Sequence, residues 1–464
     1  MKIADKNTKA VDLVKAALAK AEEYKDYNVF ISMNAEAALA KAAEIDEKIA
    51  KGEKVGKLAG VPYALKDNYS SHDGNTTAAA HILDSYHSPI TATAVAKIEA
   101  EGAIMIGRAN LDAFAHGGST ENSYFGPTKN SADDTRVAGG SSGGSAVATA
   151  LDIVEFALGS DTGGSIRQPA SFNGVYGIKP TYGAVSRYGV VAMASSTDTM
   201  GCFAKKAEDV DLVMSIMAGQ DAKDSTTLPD YWTKNLDEVK PAKKKIGLIR
   251  DCFGDGIDPE VAKIVREYGD KLKAQGFEIE EFDMPILKYG LAIYYVVQPA
   301  EVASNLSRYD GVRYALRSKD VKSLDDVFVN SRNEGFMKEN KRRIMIGNFV
   351  LSSGFYDAYY LKAQKARTLL INAYNEAFEK YDALLCPVAP TPAFKLGEKT
   401  SDPLTMYLED AMTVPASMAG LPALSVPAGE TEAGLPVGAQ LIGRAQSDQL
   451  LLSIAKQIED SEAK

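Results

Sequence analysis

The sequence predicts an α/β fold in which a central sheet is covered by helices on both faces. The composition is that of an ordinary globular protein, with 464 residues of which 45% are hydrophobic and 25% are charged. Short apolar runs recur along the chain with helical stretches between them, which is the pattern of a sheet buried on both sides. The predicted strands cover residues 61–65, 103–106, 153–158, 246–249, 383–386 and 423–426.

Residues 1–55 are predicted to be a helical segment that packs on the rest of the chain. Apolar residues recur there at helical spacing and form one stripe in each of two helices. The stripes are Val11, Val14, Leu18 and Ala21 in the first helix, and Leu39, Ala42, Ile45 and Ile49 in the second.

Further helices are predicted after the first strands. One has Asp258 as its cap, Pro259 in its first turn and Gly276 at its far end. Residues 288–375 are rich in tyrosine and helical in pattern. The polar residues 220–245 are predicted to be a linker or a surface excursion.

Composition and charge argue against several classes of protein. The net charge of −10 does not suit a protein that grips nucleic acid on its own, because neutralising phosphates needs a basic surface. The three cysteines lie far apart, so we expect neither a disulfide framework nor a cysteine zinc site. We expect a soluble, cytoplasmic protein, since no segment has the pattern of an export signal or a membrane span.

Two glycine-rich runs each contain a serine that is a candidate for catalysis. The first, residues 139–145, reads Gly-Gly-Ser-Ser-Gly-Gly-Ser, and Ser141 satisfies the G-x-S-x-G pattern of a nucleophile elbow. An α/β-hydrolase places its histidine after that serine, whereas every histidine of this chain precedes Ser141. A triad in the order His-Asp-Ser stays open, and otherwise a different base is required. The four histidines are His72, His81, His87 and His116.

The second run, residues 159–167, offers both a nucleophile and donors for an oxyanion. It reads Gly-Ser-Asp-Thr-Gly-Gly-Ser-Ile-Arg and follows a predicted strand, so Ser165 is expected at the sheet edge where α/β proteins place their sites. Gly163 and Gly164 permit positive φ angles and a turn whose N–H groups point at an oxyanion. The alternative is a plain turn or a loop that binds phosphate.

Lys66 is the candidate base. It follows the apolar run 61–65, and burial there favours a neutral amine; acting near neutral pH requires its pKa to fall by roughly 3 units. Asp67 comes next but points to the opposite face of a strand. Ser141 then passes a proton from Ser165 to Lys66 through its hydroxyl. The alternative is a lysine that reaches solvent at the strand end.

Other catalytic motifs are weaker or absent from the sequence. Residues 453–456 match S-x-x-K, but they lie in a C-terminal amphipathic helix and lack the companion motifs. There is no P-loop, no dinucleotide fingerprint and no zinc-protease motif, and the histidines lack metal-ligand spacing. We therefore expect no metal and no cofactor in this chain.

With these motifs, the chain resembles the amidase signature family. Residues 66–68, 139–145 and 159–170 match the three defining segments of that family in order and spacing. The resemblance implies one large domain over residues 1–464, with a mixed sheet between helices. It also implies a cis peptide bond before Ser141. The implied roles are Ser165 as nucleophile, Ser141 as bridging serine, Lys66 as base, and the amides of Thr162, Gly163, Gly164 and Ser165 as the oxyanion hole.

Further segments resemble one branch of that family, the A subunits of tRNA-dependent amidotransferases. They are residues 119–123, 304–314 and 341–360. The resemblance implies an enzyme that releases ammonia from glutamine and acts in a heterotrimer with the B and C subunits. In that complex the partner uses ATP and Mg²⁺ to activate mischarged Glu-tRNA(Gln) or Asp-tRNA(Asn), and the choice of tRNA belongs to the partners.

A zwitterionic substrate such as glutamine needs one cation and one anion in its pocket. By resemblance, Arg343 holds the α-carboxylate, Asp410 holds the α-ammonium and Tyr295 contacts the ligand. Arg342 is adjacent to Arg343 and can exchange roles with it. Two departures from the family pattern concern the pocket: residues 116–118 read His-Gly-Gly where methionine, glycine and serine are usual, and residues 76–79 lack the usual cysteine.

Two other functions stay open at this point. The first is a free-standing amidase that acts on a small or aryl amide without partners. The second is a phosphate-binding or nucleotide-binding protein that uses its glycine loops, although the acidic net charge and the absence of a P-loop disfavour it.

Overall fold

A mixed sheet of 11 strands runs through the computed structural model, which describes residues 1–462. The strands are β1 (Phe30–Met33), β2 (Pro62–Lys66), β3 (Ile104–Ala109), β4 (Phe156–Asp161), β5 (Tyr176–Lys179), β6 (Thr199–Ala204), β7 (Lys245–Ile249), β8 (Glu278–Phe282), β9 (Ala383–Pro387), β10 (Ala423–Glu430) and β11 (Pro436–Gly443). Their order across the sheet is β1-β3-β2-β4-β6-β5-β10-β11-β9-β7-β8.

The helices lie between these strands along the chain. They are α1 (Ala10–Glu23), α2 (Ala35–Ala50), α3 (Thr93–Ala100), α4 (Gly143–Ala150), α5 (Arg167–Phe172), α6 (Ala207–Met217), α7 (Pro259–Ala274), α8 (Gly290–Asn305), α9 (Leu324–Gly335), α10 (Lys338–Leu351), α11 (Lys362–Lys380), α12 (Pro403–Leu408), α13 (Val414–Met418) and α14 (Asp448–Glu462). A π-helical turn over Tyr356–Leu361 leads into α11.

Strand directions confirm the mixed sheet. Strand β2 is parallel to both β3 and β4, and β7 is parallel to both β8 and β9. The strands between these two groups pair antiparallel, as does β1 with β3 at one edge.

Alternate residues of the central strands reach separate cores on the two faces of the sheet. In β2, Tyr63 and Leu65 join the core that contains α3, α6, α7 and α14, whereas Ala64 joins the core beneath α1, α2 and α4. In β9, Leu384 and Cys386 face a third core beneath α8 and α11. Helices therefore cover both faces, as the apolar runs predict, because each strand buries both of its sides.

All six predicted strands are present, and five further strands, β1, β5, β6, β8 and β11, were not predicted. Strand β8 reads Glu-Ile-Glu-Glu-Phe and lies at the sheet edge, where one side faces water. Strand β1 interrupts the predicted N-terminal helices and pairs with β3. Helix α7 begins as predicted, since the Asp258 carboxylate accepts from the amides of Glu260 and Val261 at 2.8 and 3.3 Å.

Two predicted regions differ from the structure in their packing or in their bounds. Residues 220–245 form turns on the surface, but Trp232 and Leu236 are buried in the core and anchor them. The predicted domain over residues 1–464 extends two residues beyond the described part of the chain. Among residues 1–462, no helix combines the length and apolarity needed to span a membrane.

Candidate active site

Lys66 ends β2 with its side chain fully buried. Its ammonium nitrogen lies 2.8 Å from Oγ of Ser141 and 2.7 Å from Oγ of Ser142. It also lies 3.0 Å from Oγ and 3.2 Å from the carbonyl oxygen of Ser160. The lysine therefore does not reach solvent, because three serines of the two glycine-rich runs surround its amine.

Burial shifts the titration of Lys66. Loss of solvation lowers the pKa of Lys66 from its ordinary value of 10.5 to about 7, although the carboxylates of Asp112, Asp161 and Asp198 partly oppose this. Asp67 does not contribute, since its carboxylate lies 3.3 Å from Nε of Arg108 on the other side of the strand. The neutral amine is thus well populated near neutral pH.

The glycine run 139–145 carries Ser141 to this lysine at the start of α4. The peptide bond between Gly140 and Ser141 is cis, as the resemblance implies. The Gly140 amide donates to Oε1 of Gln168 at 2.9 Å, and the Asp112 amide donates to the carbonyl oxygen of Ser141 at 3.2 Å. These bonds hold the loop against its neighbours and set the position of the Ser141 hydroxyl.

Ser165 lies beside this loop, but its hydroxyl makes no hydrogen bond to Ser141 or to any other group of residues 1–462. The two runs meet through the backbone, where the Ser142 amide donates to the carbonyl oxygen of Ser165 at 3.1 Å. Ser165 is 7% exposed, whereas Ser141 is fully buried. Hydrogen bonds between catalytic groups are often formed only once substrate is bound, and a hydroxyl rotates freely.

The loop that contains Ser165 presents free backbone amides. The N–H groups of Thr162, Gly163 and Ser165 donate to no group of the described residues. The Gly164 amide does donate, to Oδ1 of Asp161 at 2.9 Å. The Gly164 amide is therefore already bonded in this conformation, and the three free amides of the loop are those of its neighbours.

The two glycines of this loop are needed for different reasons. Gly164 has a φ of +146°, a conformation that strains other residues. Gly163 has no positive φ, contrary to the prediction, but a Cβ there would lie 2.8 Å from Cζ and Oη of Tyr294. Close packing against α8 therefore excludes a side chain at Gly163.

A buried ion pair between Asp161 and Arg167 holds the same loop in place. Asp161 accepts from the amides of Gly164 and Ile166 and pairs with Arg167 through Nη2 at 2.9 Å. Burial opposes ionisation of Asp161, but the guanidinium keeps the pKa of this carboxyl below its ordinary value. The sequence pattern did not predict this pair, although both residues lie in the second glycine-rich run.

The residues predicted to bind a zwitterion are also brought together. Tyr295, on α8, donates from Oη to Oδ2 of Asp410 at 2.8 Å. The guanidinium carbon of Arg343, on α10, lies 5.4 Å from the centre of the Tyr295 ring and 5.6 Å from that of Tyr407. Arg343 is buried and bonds Glu339 through Nε at 2.8 Å. A cation and an anion thus flank one aromatic pair.

Arg342 occupies a different place from Arg343. Its side chain is half-exposed and pairs with Glu339 at the surface. Arg343 also contacts Glu339 but faces inward. Of the two neighbouring arginines, only Arg343 lies with the Tyr295 and Asp410 side chains.

Burial makes the carboxyl group of Asp410 a weaker acid than an ordinary aspartic acid. Loss of solvation raises its pKa from the ordinary 3.8 to about 7, although the bond from Tyr295 and the charge of Arg343 oppose this. A positively charged ligand group beside Asp410 would lower its pKa again. The pocket is therefore suited to gain a cation.

The first of the two departures, at residues 116–118, lies at this pocket. A Cβ built on Gly118 would lie 3.8 Å from Oδ1 of Asp410 and 3.5 Å from Nε2 of Gln168. His116 is fully buried, and burial together with Arg343 lowers its pKa well below 6.5. Its Nδ1 lies 2.6 Å from Nδ2 of Asn340, and its Nε2 has no hydrogen-bond partner among the described residues, so neither nitrogen is bonded to a serine hydroxyl.

No histidine within residues 1–462 bonds either candidate serine, so the structure offers no His-Asp-Ser triad. The S-x-x-K motif is also excluded as a site, because Ser453 bonds the carbonyl oxygen of Val239 and Lys456 pairs with surface carboxylates. The described residues contain no cluster of three His, Cys, Asp or Glu side chains suited to a metal ion.

Ser142, Ser160 and Asp112 are contacts of the site that sequence reasoning missed. Ser142 and Ser160 lie inside the two glycine-rich runs, and this position in the sequence could have identified them. Asp112 carries no such signal. It reaches the site because Thr120 and Asn122 donate to it from a turn, at 2.9 and 3.1 Å.

Comparisons with known proteins agree with this geometry. The family model described as Amidase matches residues 12–452. The A subunit of glutamyl-tRNA(Gln) amidotransferase from Cyanothece sp. (strain PCC 7425 / ATCC 29141) is 48% identical over 458 residues, which cover 98% of this chain and 95% of that protein.

Solved structures give the same result. The crystal structure of the A subunit of glutamyl-tRNA(Gln) amidotransferase from Thermotoga maritima matches with a TM-score of 0.79 and 39% identity, covering 97% of this chain and 91% of that one. Native peptide amidase from Stenotrophomonas maltophilia matches with a TM-score of 0.79 and 27% identity, covering 98% and 93%. The chain, which joins a buried lysine to serines of two glycine-rich loops within this sheet, belongs to the amidase family.

Proposed function

We propose that this chain is the glutamine-hydrolysing subunit of a tRNA-dependent amidotransferase. The observation that carries the proposal is the placement of Arg343 and Asp410 in one aromatic pocket of an amidase fold, because a free amino acid needs both charges. The relatives named as A subunits of glutamyl-tRNA(Gln) amidotransferase support it over nearly the whole chain.

In the proposed reaction, Ser165 attacks the side-chain amide carbon of glutamine. Its proton passes to Ser141, and the proton of Ser141 passes to the neutral amine of Lys66. The oxyanion is held by the free amides of Thr162 and Gly163, with that of Ser165 in place of Gly164. Lys66 returns the proton through the same serine to the leaving ammonia, and water then hydrolyses the glutamyl ester.

The contacts of Lys66 support this direction of proton flow. A neutral amine has two N–H donors and one lone pair, whereas the nitrogen has four oxygen neighbours. The Ser142 hydroxyl has another acceptor, the carbonyl oxygen of Ser160 at 3.2 Å. The hydroxyls of Ser141 and Ser160 are therefore the two that are free to donate to the lone pair of Lys66, and the proposed relay uses that of Ser141.

A surface patch supports the proposal of B and C subunits as partners. Met345 is 71% exposed on α10, and the exposed ring of Phe349 lies 4.4 Å from Phe355 and 5.8 Å from Tyr359. Clustered apolar side chains of this kind mark protein interfaces. They fall in residues 341–360, one of the segments that resemble the amidotransferase branch. In the proposed heterotrimer, ATP and Mg²⁺ act on the partner, and this chain supplies ammonia.

We also propose that residues 1–462 work as one domain, in a reducing cytoplasm. The N-terminal helices support the first point, since Val14 and Ala38 are buried in the same core as Ala64 of β2. The three cysteines support the second, because all are buried and unpaired.

Two measurements test the proposed function. The first is intact-mass detection of a glutamyl adduct on the native chain, which must be absent from Ser165→Ala. The second is ammonia release from glutamine, measured with and without the partner subunits. Phe349→Glu should reduce the partner-dependent release and leave the release by the isolated chain unchanged. Absence of any partner-dependent release would count against an amidotransferase.

The alternative is a free-standing amidase that acts on small or aryl amides. Its favouring observation is the similarity to peptide amidase, which has the same fold at lower identity. Such an enzyme should turn over aryl amides faster than glutamine and without partners. A nucleotide-binding protein would instead keep its ligand in Ser165→Ala and form no covalent adduct.

A further inference from the structure

Gln298 contacts Arg343 of the proposed substrate pocket, and the proposed reaction gives it no role. It is on α8, one turn after Tyr294, whose ring packs against Gly163 of the nucleophile loop. Three residues before Gln298 is Tyr295, which bonds Asp410. Residues three and four apart share a helix face. Gln298 therefore shares the face that joins the nucleophile loop to the charged pocket.

The orientation of the Gln298 amide is set by Arg343. Nη1 of Arg343 donates to Oε1 of Gln298 at 3.3 Å, and a guanidinium can only donate. The Nε2 group of Gln298 must then point away from that bond. It is buried and has no hydrogen-bond partner among the described residues. An unpaired buried donor is destabilising, so such groups usually have a partner in the working state of a protein.

The surroundings of this N–H group indicate an anionic partner. Arg343 uses Nε for Glu339 and Nη1 for Gln298, and its Nη2 donates to no group of residues 1–462. The free donors of Arg343 and Gln298 thus belong to two side chains in direct contact. A carboxylate has two oxygens that together accept several hydrogen bonds, which matches a pair of neighbouring donors.

We propose that Gln298 is a specificity-determining residue that donates from Nε2 to the α-carboxylate of the amide substrate, beside Arg343. This inference rests on the proposed glutaminase function. Its Oε1 atom orients the guanidinium, and its Nε2 atom completes the carboxylate site. The amide thus adds a second donor to the site without a second buried positive charge.

The test compares two substrates that differ only in the carboxylate. Glutamine carries it, and 4-aminobutanamide is the same molecule without it. Gln298→Met removes the donor at similar length, and Gln298→Glu also places a negative charge against the ligand. For glutamine we expect kcat/KM to fall about 10-fold in Gln298→Met and further in Gln298→Glu, mainly through KM, because a hydrogen bond to a charged group is lost.

For 4-aminobutanamide the same variants should change kcat/KM less than about 3-fold, since no bond to a carboxylate is lost. Val302→Ala, a buried change on the same helix, is the matched control and should affect both substrates alike. Equal losses for both substrates in the Gln298 variants would overturn the role of Gln298 and leave the glutaminase proposal standing. A native chain that prefers 4-aminobutanamide to glutamine would overturn both.

Discussion

Arg167 and Asp161 form a fully buried ion pair through two bonds, with Nε 3.0 Å from Oδ2 and Nη2 2.9 Å from Oδ1. The remaining donors of this arginine are also used. Nη1 bonds the carbonyl oxygen of Thr413 at 2.8 Å and Oε1 of Gln440 at 2.6 Å, and Nη2 bonds Oγ of Ser417 at 2.7 Å. One guanidinium therefore connects the loop that contains Ser165 to α13 and β11.

This arrangement predicts that Arg167→Lys is a damaging change. A lysine cannot make the two-bond pair with Asp161 or reach the other three acceptors, and it leaves a buried carboxylate short of partners. We expect the free energy of unfolding to fall by about 3–5 kcal/mol, as measured by urea denaturation. Arg250→Lys is the control, since its ion pairs are exposed and should be worth less than about 1 kcal/mol. Similar losses in both variants would contradict the prediction.

Lys66→Met should abolish amide hydrolysis and change how stability depends on pH. The pKa of Lys66 is about 7 in the folded chain, below its ordinary 10.5, so between these values the unfolded chain binds more protons. The stability of the native protein should therefore rise relative to Lys66→Met by about 1.4 kcal/mol per pH unit above pH 7. Below pH 7 the difference in stability between the two chains should be constant, because Lys66 is then protonated in both the folded and the unfolded state.

Urea denaturation of both chains between pH 6 and pH 9 measures this difference. Lys15→Met supplies the control, because Lys15 is exposed on α1 and its ammonium keeps its water in the folded state. A stability difference between native protein and Lys66→Met that stays the same at every pH would show that burial does not perturb this lysine.

The pH dependence of glutamine hydrolysis should have two components on the acid side. In the proposed reaction Lys66 acts as a neutral base and Asp410 binds an ammonium as a carboxylate, and each has a pKa of about 7. Both active forms are lost as the pH falls, so log kcat/KM should approach a slope of two well below pH 7. Glutaramate, which is glutamine without its α-ammonium, does not need Asp410 and should give a slope of one. Equal slopes would argue against Asp410 as the ammonium site.

Gly163→Ala should inactivate the chain by a steric effect that a second change relieves. The new Cβ would lie 2.8 Å from the Tyr294 ring, and neither the ring nor the loop backbone is a flexible chain end. Displacing a single oxyanion donor costs about 100-fold or more in kcat. Gly163→Ala combined with Tyr294→Ala should regain activity toward that of Tyr294→Ala alone. If the double variant recovers no activity, the contact with Tyr294 is not the cause of the inactivation.

The sequence by itself determined the family, the sheet and the candidate lysine and serines, for local reasons. The strand that ends in Lys66 is a continuous apolar run, and Ser141 and Ser165 stand in glycine-rich segments whose pattern is read along the chain. Strand β8 escaped prediction because its charged, half-exposed pattern resembles that of a loop.

Only the tertiary structure decided which atoms meet. Whether the Gly164 amide is free depends on the Asp161 side chain, and the positions of Arg342 and Arg343 depend on which face of α10 packs inward. The partner of Arg343, Gln298, lies on another helix, and no spacing along the chain predicts that contact. Hydrogen bonds and burial depend on distances between segments remote in sequence, which the fold alone supplies.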